Sequence, residues 1–166
     1  MEYRASYDSL TKWISGIVII FLLGIGLTGF ISFSKTSNML YYQIGIFLLS
    51  LLTLIGAWIF SIKSYTLKDN VLTINRPLGN IEISLAEIKE IMLLDKFNML
   101  GTIRTFGSGG LFGYYGKFYI PKLGHVNMFC TQRIHQILIV TMDEKKRIIS
   151  PDDLGLFEKI LVKVKN

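Results

Sequence analysis

WISGIVIIFLLGIGLTGFISF, residues 13–33, and MLYYQIGIFLLSLLTLIGAWIFSI, residues 39–62, decide how this chain is read. Neither stretch carries a charged residue, and each exceeds the ~20 apolar residues that a helix needs to cross a bilayer. The expectation is an integral membrane protein with two transmembrane helices. Only residues 34–38 separate them, so the helices are antiparallel neighbours and both chain ends lie on one side. Trp13 opens the first span, and Tyr41, Tyr42 and Trp58 lie near the ends of the second, where amphipathic rings settle at the water interface. Arg4 and Lys12 precede the pair and Lys63 and Lys68 follow it, while the connection carries only Lys35. This bias puts both ends in the cytoplasm. A cleaved signal peptide is disfavoured by the length of the first stretch and by the lack of a small-x-small site before Lys35. The spans hold no charge, and their only amide, Gln43, sits near an end, so no ion or proton pathway is indicated.

Outward from the spans, residues 1–63 form a leader and helical hairpin, and residues 64–166 are long enough for a single core. The formal net charge of +6 is modest, and acids and bases are interspersed, with no run of five like charges. A nucleic-acid partner is therefore not expected. A basic excess close to the spans suits anionic lipid headgroups instead. Cys130 is the only cysteine, so no intrachain disulfide can form.

The second part reads mainly as β-structure. Tyr65 and Leu67 alternate with Thr66 and Lys68, Asp69-Asn70 supplies a turn, and Leu72 and Ile74 alternate with Thr73 and Asn75. Pro77 and Gly79-Asn80 break the chain before Ile81 and Ile83. Residues 85–88 suggest one helical turn and residues 91–94 another strand. After a glycine-rich passage, residues 118–120, 126–131, 136–142 and 147–149 read as strands, with a polar hairpin turn over residues 143–146. About seven short strands at this spacing predict a small barrel or sandwich. The period then changes. Ser150 suits an N-cap, Pro151 the first helical position, and Asp152 and Asp153 the positive end of the helix dipole. Leu154, Phe157, Ile160, Leu161 and Val164 fall on one helical face, predicting an amphipathic helix that closes one end of the strands.

This outline, with the segment RTFGSGGLFGYYGKF at residues 104–118 and IISPDD at residues 148–153 leading to Phe157, resembles a bacterial pleckstrin-homology-like (PH) domain family carried behind two membrane helices. The chain departs from it slightly, with Phe129-Cys130-Thr131 where Tyr-Ala-Thr is expected. The resemblance implies an α+β PH-like fold of about seven strands capped by a C-terminal helix, in a bacterial cytoplasmic membrane. It implies no enzyme activity and no cofactor. Phosphoinositide binding, common among eukaryotic PH domains, is not carried over by fold alone, because the first hairpin here shows no clear basic cluster.

Gly107, Gly109, Gly110, Gly113 and Gly116 crowd one passage. It lacks the Gly-Lys-Ser/Thr ending of a P-loop and the βαβ setting of a dinucleotide site. One reading is a loop whose glycines allow sharp bends while Phe112, Tyr114, Tyr115 and Phe118 pack on the domain. The other is a contact surface for a partner or a lipid, formed by Arg104, Gly107, Gly109, Gly110, Phe112, Tyr114, Tyr115 and Lys117. Cys130, His125 and His135 raise thiol or metal chemistry. A five-residue separation in a strand places His125 and Cys130 on opposite faces, which denies the thiol its base. One thiol and two imidazoles also fall short of a closed zinc site. The functional expectation is a non-enzymatic module, held at the cytoplasmic membrane, that recruits or stabilises a membrane protein partner. Lipid-headgroup sensing is the alternative, and a Cys/His-dependent enzyme the remote one.

Overall fold

In the computed structural model the described residues are 1–31, 37–95 and 99–165. They form strand β1 (Glu2–Arg4), helices α1 (Ser9–Ile31) and α2 (Ser37–Ile59), and strands β2 (Ser64–Lys68), β3 (Val71–Asn75) and β4 (Ile81–Ser84). A 3-10 turn (Leu85–Glu87) follows where one helical turn is expected. Then come β5 (Ile88–Leu94), β6 (Ile103–Gly110), β7 (Gly113–Ile120), β8 (Gly124–Cys130), β9 (Gln136–Thr141), β10 (Lys146–Ile149) and helix α3 (Gly155–Lys165).

The strands lie in two sheets ordered β1-β2-β3-β4 and β5-β9-β10-β8-β7-β6. The sheets do not close into a barrel, which corrects half of the barrel-or-sandwich expectation. The physical reason is that β4 passes through the 3-10 turn into β5 without pairing with it, so the hydrogen-bonded ladder is interrupted there. All neighbours are antiparallel except β8 and β10, which are parallel. Asp69 and Asn70 both take positive φ between β2 and β3, the geometry a two-residue hairpin turn needs.

The leader is part of the fold. Glu2–Arg4 pairs with Ser64–Lys68, and the terminal ammonium donates to the Leu67 carbonyl at 2.8 Å. Tyr3 and Ala5 are buried while Glu2 and Arg4 face water. One core lies between the four-stranded sheet, one face of the six-stranded sheet and α3, and includes Tyr65, Leu72, Ile74, Ile137, Ile139, Ile149, Leu156 and Ile160. Tyr65 joins the layers: its hydroxyl donates to the Phe129 carbonyl at 2.6 Å and accepts from the Ser150 amide at 3.1 Å. The other face of the six-stranded sheet buries Leu94, Tyr114, Phe118, Ile120, Val126, Met128, Cys130, Leu138, Val140 and Ile148, with Met99 and Leu123 packed on them.

The C-terminal helix starts later than the sequence suggests. Its first turn is held by Asp153, whose carboxylate accepts from the Gly155 amide at 2.8 Å. Ser150 is drawn away from a capping role by the domain. Its hydroxyl accepts from the amides of Thr131 at 3.0 Å and Gln132 at 3.3 Å, and Asp152 accepts from the Ser6 amide at 2.8 Å. The buried helical positions are consequently Leu156 and Ile160, with Phe157 and Val164 only partly covered.

Residues 41–59 of α2 form a helix long and apolar enough to cross a membrane, and little of that surface is covered by protein. Among the described residues the apolar part of α1, Ser9–Ile25, is shorter than that. Among the described residues one candidate span therefore stands where two are expected. The connection expected over residues 34–38, with Lys35, lies largely outside the described residues.

Candidate functional site

The glycine-rich passage is a β-hairpin, not a loop. β6 and β7 pair from Ile103↔Tyr119 to Gly110↔Gly113, with Leu111 and Phe112 at the tip. Gly107 and Gly116 face each other across the ladder, both at positive φ. A Cβ on Gly107 would run into the Tyr115 carbonyl oxygen, and one on Gly116 into that of Phe106. Glycine is required at this crossing because it alone combines that φ with so close an approach of two backbones. At the tip, a Cβ on Gly110 would lie 2.6 Å from Ile14 Cδ1, and one on Gly113 2.7 Å from the Cys130 carbonyl oxygen.

These absences of side chain let the hairpin tip seat against the helices. Ser15 Oγ donates to the Gly110 carbonyl at 3.3 Å and accepts from the Phe112 amide at 2.9 Å. Further along β7, the Tyr115 hydroxyl donates to the Ala57 carbonyl in α2 at 2.5 Å. Burial pushes the Tyr115 phenol up to about 12, with the Ser108 hydroxyl pulling slightly the other way, so it remains a donor at neutral pH. The tip thus meets α1 beside Trp13 and Ile14, and β7 meets α2 beside Trp58.

A bulge divides the chemistry of the hairpin. Register slips between Arg104 and Phe106, with Thr105 donating its hydroxyl to the Lys117 carbonyl at 2.9 Å. Arg104 pairs with Phe118 and so shares the face of Tyr114 and Gly109. Beyond the bulge Phe106 pairs with Lys117 and points to the other face, because an extra residue inverts the alternation. That outer face carries Ile103, 60% exposed, Phe106, 75% exposed, and Tyr119, 38% exposed, with His125 edge-on to Tyr119 at 5.3 Å between ring centroids.

The residues singled out in the sequence therefore divide into three groups. Tyr114, Tyr115 and Gly110 are buried and Phe112 is half-buried against α1. Arg104, Gly107 and Gly109 are exposed on one side, and Lys117 is exposed on the other. Arg104 and Lys117, which flank the segment in sequence, stand at neighbouring register positions but on opposite faces.

On the Arg104 side lies a cavity of about 860 Å³. Its floor is Tyr114, Phe118 and Met128, and its mouth includes Leu10, Arg104 and Arg133. Asp8 caps α1 there: its carboxylate accepts from the Thr11 amide at 2.7 Å and from Arg133 Nε at 3.4 Å. Burial pushes the Asp8 carboxyl up, but the hydrogen bonds from Thr11 and Arg133 outweigh it and hold the group below its ordinary 3.8. Sequence reading missed Asp8, Leu10 and Arg133, which are far from the hairpin along the chain. The legible signal was local: Asp8 stands three residues before Thr11 at the head of an apolar run.

Cys130 ends β8 on the buried face, and His125 occupies the exposed one. Burial pushes the thiol up to about 12, so it is protonated at neutral pH and a poor nucleophile. Among the described residues, no group of three His, Cys, Asp or Glu side chains is placed to hold a metal ion.

With this geometry in view, comparison with known families finds that the family described as "Bacterial PH domain" matches residues 63–165. The chain belongs to that family. Domains of this kind are lipid- or protein-binding modules and in general are not enzymes. No curated protein and no solved structure matches the chain.

Proposed function

We propose that this protein is a non-enzymatic PH-like module held at the cytoplasmic face of a bacterial membrane by α1 and α2, and that it recruits or stabilises a membrane protein partner there. The observation that carries the reading is the outer face of the β6–β7 hairpin, where Ile103, Phe106 and Tyr119 stay exposed beside Lys117. The same hairpin buries Tyr114, Tyr115 and Phe118 almost completely. Exposed aromatic and aliphatic side chains gathered on one strand pair, rimmed by polar groups, suit a protein interface. β6 also ends its sheet, so its outer backbone groups are available to an added strand.

The membrane setting is supported by the apolar length of α2, by the exposed apolar surface of α1, by Trp13 next to the residues that meet the hairpin tip and by Trp58 next to the Ala57 contact with β7. A tether of this kind raises the effective concentration of the outer face towards other membrane proteins. Co-purification from native membranes tests the reading, comparing the wild type with Phe106→Ser. Phe106 touches no buried cluster, so its loss should change stability by no more than about 0.5 kcal/mol. A proportionate loss of the same partner from an equally stable variant supports the reading; undiminished recovery refutes it.

A further inference from the structure

We propose that the cavity beneath the β6–β7 hairpin is a binding site for one anionic phospholipid of the adjoining leaflet, its phosphate held by Arg104 and Arg133 and its apolar part lying on Tyr114, Phe118 and Met128. The inference rests on the bilayer setting proposed above but not on the protein partner.

The volume of about 860 Å³ lies within the roughly 300–1,000 Å³ of pockets that take small ligands. Its chemistry is divided as an amphiphile requires. Phe118 and Met128 are apolar and buried at the floor, and the two guanidinium groups stand at the mouth. Arg133 spends one donor on Asp8 and its side chain is 60% exposed, which leaves donors for a second anion. Among the described residues Asp8 is the one carboxylate in the lining, so the cations there outnumber it. The Arg104 stem lies along Gly109, whose added Cβ would meet Arg104 Cδ and Nη1 at an ordinary 3.6 Å.

Tyr114 adds a wall to the hollow. The residue is only 8% exposed and lines the cavity through its ring, while its hydroxyl is turned into the protein beside Thr11 and Asp8. Finally, Ser9 and Leu10 line the opening at the first turn of α1, and Trp13 lies a turn further. With α1 entering the bilayer at Trp13, the opening stands at headgroup depth. That position favours a lipid over a soluble phosphate compound, although both share the phosphate that the arginines recognise.

The full chain, purified in a neutral detergent, is examined by native mass spectrometry and thermal unfolding with phosphatidylglycerol, with phosphatidylcholine, or with inorganic phosphate. The expected result is one phosphatidylglycerol retained per chain in preference to phosphatidylcholine, with a rise in the unfolding midpoint. Arg104→Gln should lower that retention about tenfold, and Arg133→Gln should do the same. Lys117→Gln, on the opposite face, should leave retention unchanged and shows that charge alone is not being read. Because Arg133 also contacts Asp8, the lipid-free midpoint of each variant separates misfolding from lost binding, and Arg104→Gln decides if Arg133→Gln unfolds. Equal retention of the two lipids, or retention indifferent to Arg104→Gln, overturns the proposal. Stabilisation by inorganic phosphate alone, equal to that by phosphatidylglycerol, overturns the lipid and leaves an anion site. Extraction of the chain from native membranes by alkaline carbonate would instead refute the bilayer setting itself.

Discussion

Gly107 and Gly124 both take positive φ, yet they are under different constraints. A Cβ at Gly124 meets nothing within 4 Å, whereas one at Gly107 collides with the facing strand. Gly124→Ala should therefore cost only the backbone term, about 1–2 kcal/mol. Gly107→Ala adds a clash that neither strand can relieve without opening the ladder, and should cost about 3 kcal/mol or more. Chemical denaturation of the two variants checks this, and equal losses would mean that the crossing of β6 and β7 is looser than the backbone positions imply. Single residues also decide the chemistry. Thr105 is the extra residue that turns Phe106 outward, and without its bulge Phe106 would share the cavity face with Arg104. Asp8 has a folded pKa below its ordinary value, so its contribution to stability is complete above about pH 4 and is lost as pH falls through the folded value.

Among the elements, α3 offers the sharpest test of packing. Leu156 and Ile160 are fully buried in the main core, and Phe157 is only partly covered. Leu156→Ala and Ile160→Ala should each cost about 2–5 kcal/mol, and Phe157→Ala less than either, as read from denaturant midpoints. A larger loss at Phe157 would restore the helix face expected from the sequence. That face was legible in outline, since Ile160, Phe157 and Val164 were placed correctly by their spacing. Leu156 was missed because Ser150 looks like a cap in isolation, and only the folded domain supplies the Thr131, Gln132 and Tyr65 groups that claim it. The strands β2, β3, β4 and β8 were legible because one face of each is apolar, and β9 and β10 because their apolar runs serve both cores. β6 was not, because glycine at alternate positions erases the pattern that marks a strand. β1 left a faint trace, with Tyr3 and Ala5 alternating against Glu2 and Arg4, hidden by its distance from the strand it joins. The sequence singles out the hairpin as a segment, but not its two faces or the exposed Ile103, Phe106 and Tyr119, since a bulge has no signature in composition.

At the scale of the whole molecule, the chain joins an apolar helical part to a PH-like domain at more than the covalent link. The hairpin tip seats on α1 through Ser15, β7 reaches α2 through Tyr115, and β1 holds the chain before α1 in the four-stranded sheet. The domain is thereby fixed in posture relative to the helices, with its outer hairpin face turned one way and the Arg104 cavity the other. If both helices span, position 37 lies on the far side of the membrane from the domain. A cysteine placed at Ser37 in a Cys130→Ser background should react with an impermeant thiol reagent in intact cells, and protection of that site would argue against the hairpin topology. The most direct test of the central claim is site-specific photo-crosslinking in living cells, with the crosslinker placed at Phe106 or, as a control, at Glu82, exposed on the other sheet. The account predicts a discrete membrane-protein adduct from Phe106 that is absent from Glu82. The same adducts from both positions, or none from Phe106 in a folded, membrane-resident chain, would contradict it.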